Sequence, residues 1–164
     1  MIAPFDSFIS SNDTVLDIGC GIGTPVKGLV CKGLTGIDAV DYSKEYPGKF
    51  IVAMLPCLEF VPDKSYDVII CIDCIEHLTK EDGFELLKHF NRIVRKMIYI
   101  FTPAEWDSNE SSVNDSDCWA YGNHLNLHKS LWTVADFTSN GYDAQEILAH
   151  GWVTAFIHAY RRFE

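Results

Sequence analysis

The sequence predicts an α/β protein: a single doubly wound, mainly parallel sheet that ends in an antiparallel hairpin. Three observations carry this expectation. Apolar, β-branched runs alternate with segments of helical spacing or turn formers, the pattern of a parallel sheet covered on both faces. The first run opens into a glycine-rich turn, Gly19-Cys20-Gly21-Ile22-Gly23. The last two runs are joined around His150-Gly151, too short a break for a crossover, so they pair antiparallel. The length of 164 residues suits one domain spanning residues 1–164.

The elements follow in order. Strand one is Thr14 to Ile18. Thr24 caps a short helix that Pro25 opens and that runs to about Lys32, with Gly33 as its C-terminal cap. Strand two is Leu34 to Asp38, followed by a loop from Ala39 to Lys49 rich in turn formers. Strand three is Phe50 to Met54, and Leu55 to Ser65 is irregular. Strand four, Tyr66 to Ile72, is a β-branched run of the fully buried type. Thr79 followed by Asp82 is a capping signal, and Leu86, Leu87, Phe90, Ile93 and Val94 recur at helical spacing, which predicts a helix over Lys80 to Arg95. Strand five is Met97 to Phe101. Ala104 to Asn126 is a long polar loop carrying Trp106, Trp119 and Tyr121, of the length that forms lids. Thr133 and Asp136 open a last helix that Gly141 ends, before strands at Tyr142 to Leu148 and Trp152 to Tyr160.

Composition narrows the function. Lys and Arg number 13 against 23 Asp and Glu, a formal net charge of −10. Such a balance argues against nucleic acid and against an anionic membrane surface, and favours a small molecule or a protein as partner. No apolar run is long enough to span a bilayer, and Met1 to Ser10 lacks the pattern of a secretory signal, so the expected compartment is cytoplasmic. The six cysteines, at positions 20, 31, 57, 71, 74 and 118, include one Cys-x-x-Cys but no second pair, and are expected to be reduced and packed.

The glycine turn is the most informative motif. A dinucleotide-binding turn would place its third glycine at residue 24, which is Thr24. An acid just before the turn repels phosphate and suits a cationic ligand. The segment Leu16-Asp17-Ile18-Gly19-Cys20-Gly21-Ile22-Gly23 resembles the cofactor loop of class I S-adenosylmethionine-dependent methyltransferases, and the order of elements resembles their whole catalytic core, from about Asp13 to Tyr160. The resemblance implies a Rossmann-like sheet of seven strands and S-adenosylmethionine as cofactor, with S-adenosylhomocysteine as product. It implies that Gly19, Cys20, Gly21 and Gly23 let the backbone approach the cofactor and that Asp17 anchors its ammonium end. Asp38, about twenty residues past the first glycine, would accept from the ribose hydroxyls. Ala39 and Val40 would flank the adenine. Met54 and Leu55 stand where relatives carry an acid for the adenine amino group, so apolar contact is expected there. A carbonyl of Cys71 or Ile72 would accept from the ammonium, and Asp73 follows in the same motif. Two departures are visible: the segments after strands two and three are short, and little precedes strand one, where relatives carry a lid. A second copy of the chain or a partner is therefore expected to supply cover.

Methyl transfer from a sulfonium needs chiefly in-line positioning, and an oxygen acceptor also needs a base or a metal. His77 and His128 are the candidate bases. Asp73, Glu76, His77 and His128 also resemble the acid-x-x-Glu-His and His-Lys-x-x-Trp-Thr patterns of small-RNA 2′-O-methyltransferases, which bind a divalent metal; the first pattern occurs in ubiquinone-pathway O-methyltransferases too. The same Glu-His pair stabilises the turn in methyltransferases that use no metal, and no metal is expected here. The expected function is methyl transfer to an oxygen or nitrogen of a small molecule. The alternatives are a non-catalytic cofactor- or partner-binding domain of the same fold and, disfavoured by the glycine spacing, a nicotinamide-dependent oxidoreductase.

Overall fold

The computed structural model describes residues 5–148 and 155–163. Seven strands form one sheet: β1 (Thr14–Ile18), β2 (Gly33–Asp38), β3 (Lys49–Val52), β4 (Tyr66–Ile72), β5 (Val94–Pro103), β6 (Asp143–Leu148) and β7 (Ala155–Arg162). Their order is β3-β2-β1-β4-β5-β7-β6. The first five run parallel, and β7 inserts antiparallel to both β5 and β6. The expected mainly parallel, seven-stranded architecture with an antiparallel C-terminal pair is thus present. The expected junction at His150-Gly151 and the start of the last strand at Trp152 lie outside the described residues.

Period-two alternation divides the core. Leu16, Ile18, Ile69, Cys71, Ile98 and Ile100 pack on one face, beneath α1 (Lys80–Ile93) and α3 (Val134–Thr138). Val15, Val68, Ile70, Ile72, Tyr99 and Phe101 pack on the other. α1 begins as expected: the Thr79 hydroxyl accepts from the Asp82 N–H at 3.2 Å, and Leu86, Leu87, Phe90 and Ile93 are buried along one stripe. It stops two residues early. Val94 pairs with Tyr66, and the Arg95 guanidinium donates to Asp67 at 2.9 Å, so both residues belong to the sheet.

The second face departs from the expectation. The helix expected from Pro25 to Lys32 is only a 3-10 turn, Thr24–Val26, and its cap is Gly23, not Thr24. Gly28 takes a φ of 85°, a left-handed bend that stops helix growth after a single turn. Gly33, expected to cap that helix, is already the first residue of β2. The face is closed instead by loop residues, chiefly Val26 and Tyr46. The long loop between β5 and α3 also carries structure: a short helix α2 (Glu110–Asn114) and a 3-10 turn, His124–Asn126. Among the described residues no helix is long and apolar enough to cross a membrane, and all six cysteines are free thiols.

Candidate functional site

The strand order reverses between β1 and β4, and the carboxyl ends of these neighbours form the rim where open α/β sheets bind ligands. At this rim β1 runs into the glycine turn, with φ of 64°, 48° and 78° at Gly19, Gly21 and Gly23. A Cβ on Gly19 would stand 2.2 Å from Cys74 Sγ, so the turn approaches the segment after β4 as closely as it does only because residue 19 lacks a side chain. The Gly19 and Cys20 N–H groups both donate to the Ile37 carbonyl, at 2.9 and 3.2 Å. Asp38, at the end of β2, completes the corner: one carboxylate oxygen accepts from the Gly21 N–H and the other from the Val40 N–H, each at 2.9 Å.

A cavity of about 500 Å³ opens here. Gly19, Gly21, Asp38, Ala39, Met54 and Leu55 line one side, and Asp73, Glu76, His77 and His128 line another. The sequence-expected adenosyl side and the two candidate bases therefore share one cavity. Six of the expected cofactor residues do not line it, Val40 among them. Asp17 alternates onto the opposite face of β1, where it is 4% exposed and accepts from the Tyr46 hydroxyl at 3.1 Å. Cys20 is buried against Gly36, Gly23 packs against Pro47 and Tyr46, and the Cys71 and Ile72 side chains belong to the two faces of the core. These residues shape the turn and strand from behind. Burial pushes the Asp17 carboxyl up to about 7, with the charge of Asp38 adding to the rise.

The wall after β4 concentrates the titratable groups. Asp73 takes a left-handed φ of 46°, and its N–H donates to the Phe101 carbonyl at 2.9 Å. Glu76 is 2% exposed; one carboxylate oxygen accepts from the Thr102 hydroxyl at 2.8 Å, and the other has no hydrogen-bond partner among the described residues. Burial pushes the Asp73 and Glu76 carboxyls up. The His77 and His128 rings lie 5.0 Å apart between centroids. Burial, helped by His128, pushes His77 down to about 4, so its imidazole is neutral at pH 7. Burial lowers His128 as well. The late segment is fastened to this wall because the Glu76 carbonyl accepts from the Lys129 and Ser130 N–H groups at 2.8 and 3.1 Å. One ligand atom each from Glu76, His77 and His128 lies within 4.8 Å of the others, a set that could hold a metal ion; Asp73 is outside it.

The outer wall comes from the β5–α3 insertion, through Cys118, Trp119, Ala120 and Asn123, and from Tyr42 after β2. The loop of lid length expected from Ala104 to Asn126 thus lines the cavity. Tyr42 and Asn123 had no sequence signal: each sits in a polar stretch without periodicity, and only the folded insertion brings them together.

Comparison with known proteins agrees with this geometry. Residues 3–146 match the model of a family described as a methyltransferase domain. The chain belongs to that methyltransferase family, in line with the class I, S-adenosylmethionine-dependent type that its glycine turn resembles. Among curated proteins it is similar to the ubiquinone biosynthesis O-methyltransferase of Rickettsia akari, 37% identical over 87 residues, covering 46% of this chain and 35% of that protein. The Rickettsia canadensis protein of the same name is 29% identical over 115 residues, covering 56% of this chain and 49% of that one. The chain thus spans half or less of the length of these relatives. A solved S-adenosylmethionine-dependent methyltransferase from Methanosarcina mazei superposes with a TM-score of 0.67 at 15% identity, over 99% of this chain and 97% of that one. The 1,6-didemethyltoxoflavin-N1-methyltransferase of Burkholderia thailandensis, solved with that substrate and S-adenosylhomocysteine, gives 0.67 at 12% identity, over 98% and 76% of the two chains.

Proposed function

We propose that the rim cavity binds S-adenosylmethionine and that the chain transfers its methyl group to an oxygen or nitrogen of a small molecule. The observation that carries this reading is the placement of Asp38. It ties down the glycine turn through Gly21 and lines the same cavity as His77 and His128. The glycine turn and Asp38 take the nucleoside, and Asp73 supplies negative charge for the ammonium and sulfonium. The neutral His77 and His128 imidazoles accept the proton that an acceptor hydroxyl or amine gives up. The O-methyltransferase names of the curated relatives and the N-methyltransferase name of one structural neighbour support both acceptor types.

Calorimetry with S-adenosylmethionine, S-adenosylhomocysteine and a nicotinamide dinucleotide tests the cofactor. Binding of the first two alone is expected; binding of the dinucleotide alone overturns the reading. Labelled S-adenosylmethionine offered with a metabolite extract tests turnover, and absence of transfer favours a binding domain over an enzyme. Asp38→Ala is expected to weaken S-adenosylhomocysteine binding at least about tenfold, the loss of one charged hydrogen bond. It also releases two backbone N–H groups, so a stability loss of about 1–3 kcal/mol accompanies it.

One observation favours a second reading, in which a divalent ion assists an oxygen acceptor. Glu76 presents a buried carboxylate oxygen with no partner among the described residues, beside two neutral imidazoles. Glu76, His77 and His128 would hold such an ion, which supplies Lewis-acid activation of a hydroxyl when bound. Turnover unchanged by a chelator removes this reading.

A further inference from the structure

The insertion between β5 and α3 places an indole over the glycine turn. A Cβ built on Gly21 would lie 3.8 Å from Trp119 Cη2 and 3.9 Å from Cζ3, ordinary contact distance. The tip of the indole therefore stands over Gly21, leaving room for about one carbon between it and the backbone, and lines the same cavity. Yet Trp119 is 62% exposed. Its packing against the domain is slight, and a large aromatic left in water over a glycine floor is poorly explained as core.

The surroundings hold it there. Tyr42 packs edge-on against the indole, with centroids 6.3 Å apart. Tyr42 lines the cavity together with Asn123, four residues past Trp119. Inside the insertion, Cys118 N–H donates to Asp115, Tyr121 N–H to Cys118 and Gly122 N–H to Val113, at 3.0, 3.0 and 2.9 Å. Val113 and Ala120 are each 2% exposed, so the tip is anchored while the indole is left out. Asn109 Nδ2 donates to the Asn126 carbonyl at 2.9 Å and His128 N–H to the Ser108 carbonyl at 3.1 Å, closing the base of the insertion. The anchored tip leaves both Trp119 and Tyr121 exposed, and of the two Trp119 lines the cavity, where it is placed to meet something flat or cationic.

We propose that Trp119, braced by Tyr42, is a cofactor-retaining residue: the indole is displaced from Gly21 by the entering nucleoside and then closes on its outer side. This rests on the reading that the cavity binds S-adenosylmethionine. The insertion thereby does for this chain what a separate covering segment would do, and the bound nucleoside leaves only when the indole swings away. Residue 119 sets how tightly and for how long the cofactor is held, and does not enter the proton transfer.

The test is S-adenosylhomocysteine binding by calorimetry and stopped-flow fluorescence to wild type, Trp119→Ala, Trp119→Phe and Asp38→Ala. Trp119→Ala is expected to raise Kd about tenfold or more and to speed dissociation by a similar factor, the size seen when an aromatic stacked on a base is removed. Trp119→Phe keeps an aromatic face and is expected to stay within about threefold of wild type. The melting temperature of unliganded Trp119→Ala should match wild type, because the side chain is largely exposed. Saturating ligand should change indole emission in wild type and leave it unchanged in Trp119→Phe. Wild-type affinity in Trp119→Ala, or the same emission change in wild type and Trp119→Phe, overturns this proposal alone. Failure of wild type itself to bind S-adenosylhomocysteine overturns the cofactor reading, and this proposal with it.

Discussion

The indole of Trp132 occupies the space in which a side chain on Gly83 would stand: a Cβ at residue 83 would lie 2.3 Å from Trp132 Cζ2. Trp132 has no room to yield. Its Nε1–H lies 3.3 Å from the Ile75 carbonyl and 3.0 Å from the Ser130 hydroxyl, Phe137 stacks on it, and the Lys80 ammonium sits over its ring.

Gly83→Ala is therefore expected to destabilise the protein, although alanine is the better helix former. The propensity gain in α1 is about 1 kcal/mol. Forcing a methyl into a filled core costs about 1–3 kcal/mol. Urea denaturation should show a lower midpoint with an unchanged slope, and a higher midpoint would show that Trp132 can shift aside.

Asp17 gives a pH signature. Its carboxyl rises from 3.8 to about 7 on folding, so the folded state binds the proton more tightly than the unfolded chain. Its contribution is most favourable at acid pH and is lost as pH climbs from 3.8 to about 7. Asp17→Asn keeps an acceptor for the Tyr46 hydroxyl and removes the charge. The variant is expected to gain stability on the order of 3 kcal/mol relative to wild type at pH 8, and little at pH 4. Chemical denaturation at the two pH values checks it; an equal difference at both refutes a titrating Asp17.

At the opposite rim, Asp67 joins β1 to β5. It accepts from the Thr14 N–H and hydroxyl, both at 2.9 Å, and from Arg95 Nε at 2.9 Å. The Arg95 guanidinium beside Asp67 holds that carboxyl well below the usual range. Stability from this pair is present above pH 3.8 and is lost as pH falls through the lowered value. Arg95→Ala is expected to cost about 1–3 kcal/mol at pH 7 and to move acid unfolding to higher pH. Circular dichroism against pH reads this directly, and an unmoved acid transition would exclude the pair as its cause.

His77 and His128 face the cavity side by side. Replacing either by alanine is expected to lower methyl transfer at least about 100-fold. S-adenosylhomocysteine affinity should stay within about threefold, because neither ring belongs to the glycine-turn side. Loss of binding with unchanged turnover at saturation would assign them to the cofactor instead.

Strands β1 and β4 match their expected bounds because each is a mostly apolar, β-branched run between turn signals, and such runs are buried on both faces. The start of α1 was legible in Thr79 and Asp82, since a cap is a contact between near neighbours. Its end was not, because the register of Val94 and the reach of Arg95 to Asp67 depend on residues far away in sequence. The same division runs through the site. Asp38 and the glycines were readable from spacing, and so were His77 and His128 as a pair of candidates. The burial of Asp17 is a matter of strand alternation, which places it on the same face of β1 as Val15. Trp119 over Gly21 and Tyr42 with Asn123 depend on how the insertion folds back, which local sequence does not encode.

The Thr14, Asp67 and Arg95 cluster sits at the amino ends of its strands, with the length of the sheet between it and the cavity. Robustness and reactivity are therefore seated at opposite poles of the molecule. A lineage can strengthen the lower pole without disturbing turnover, and drift at the upper pole can explore new acceptors while the chain stays folded.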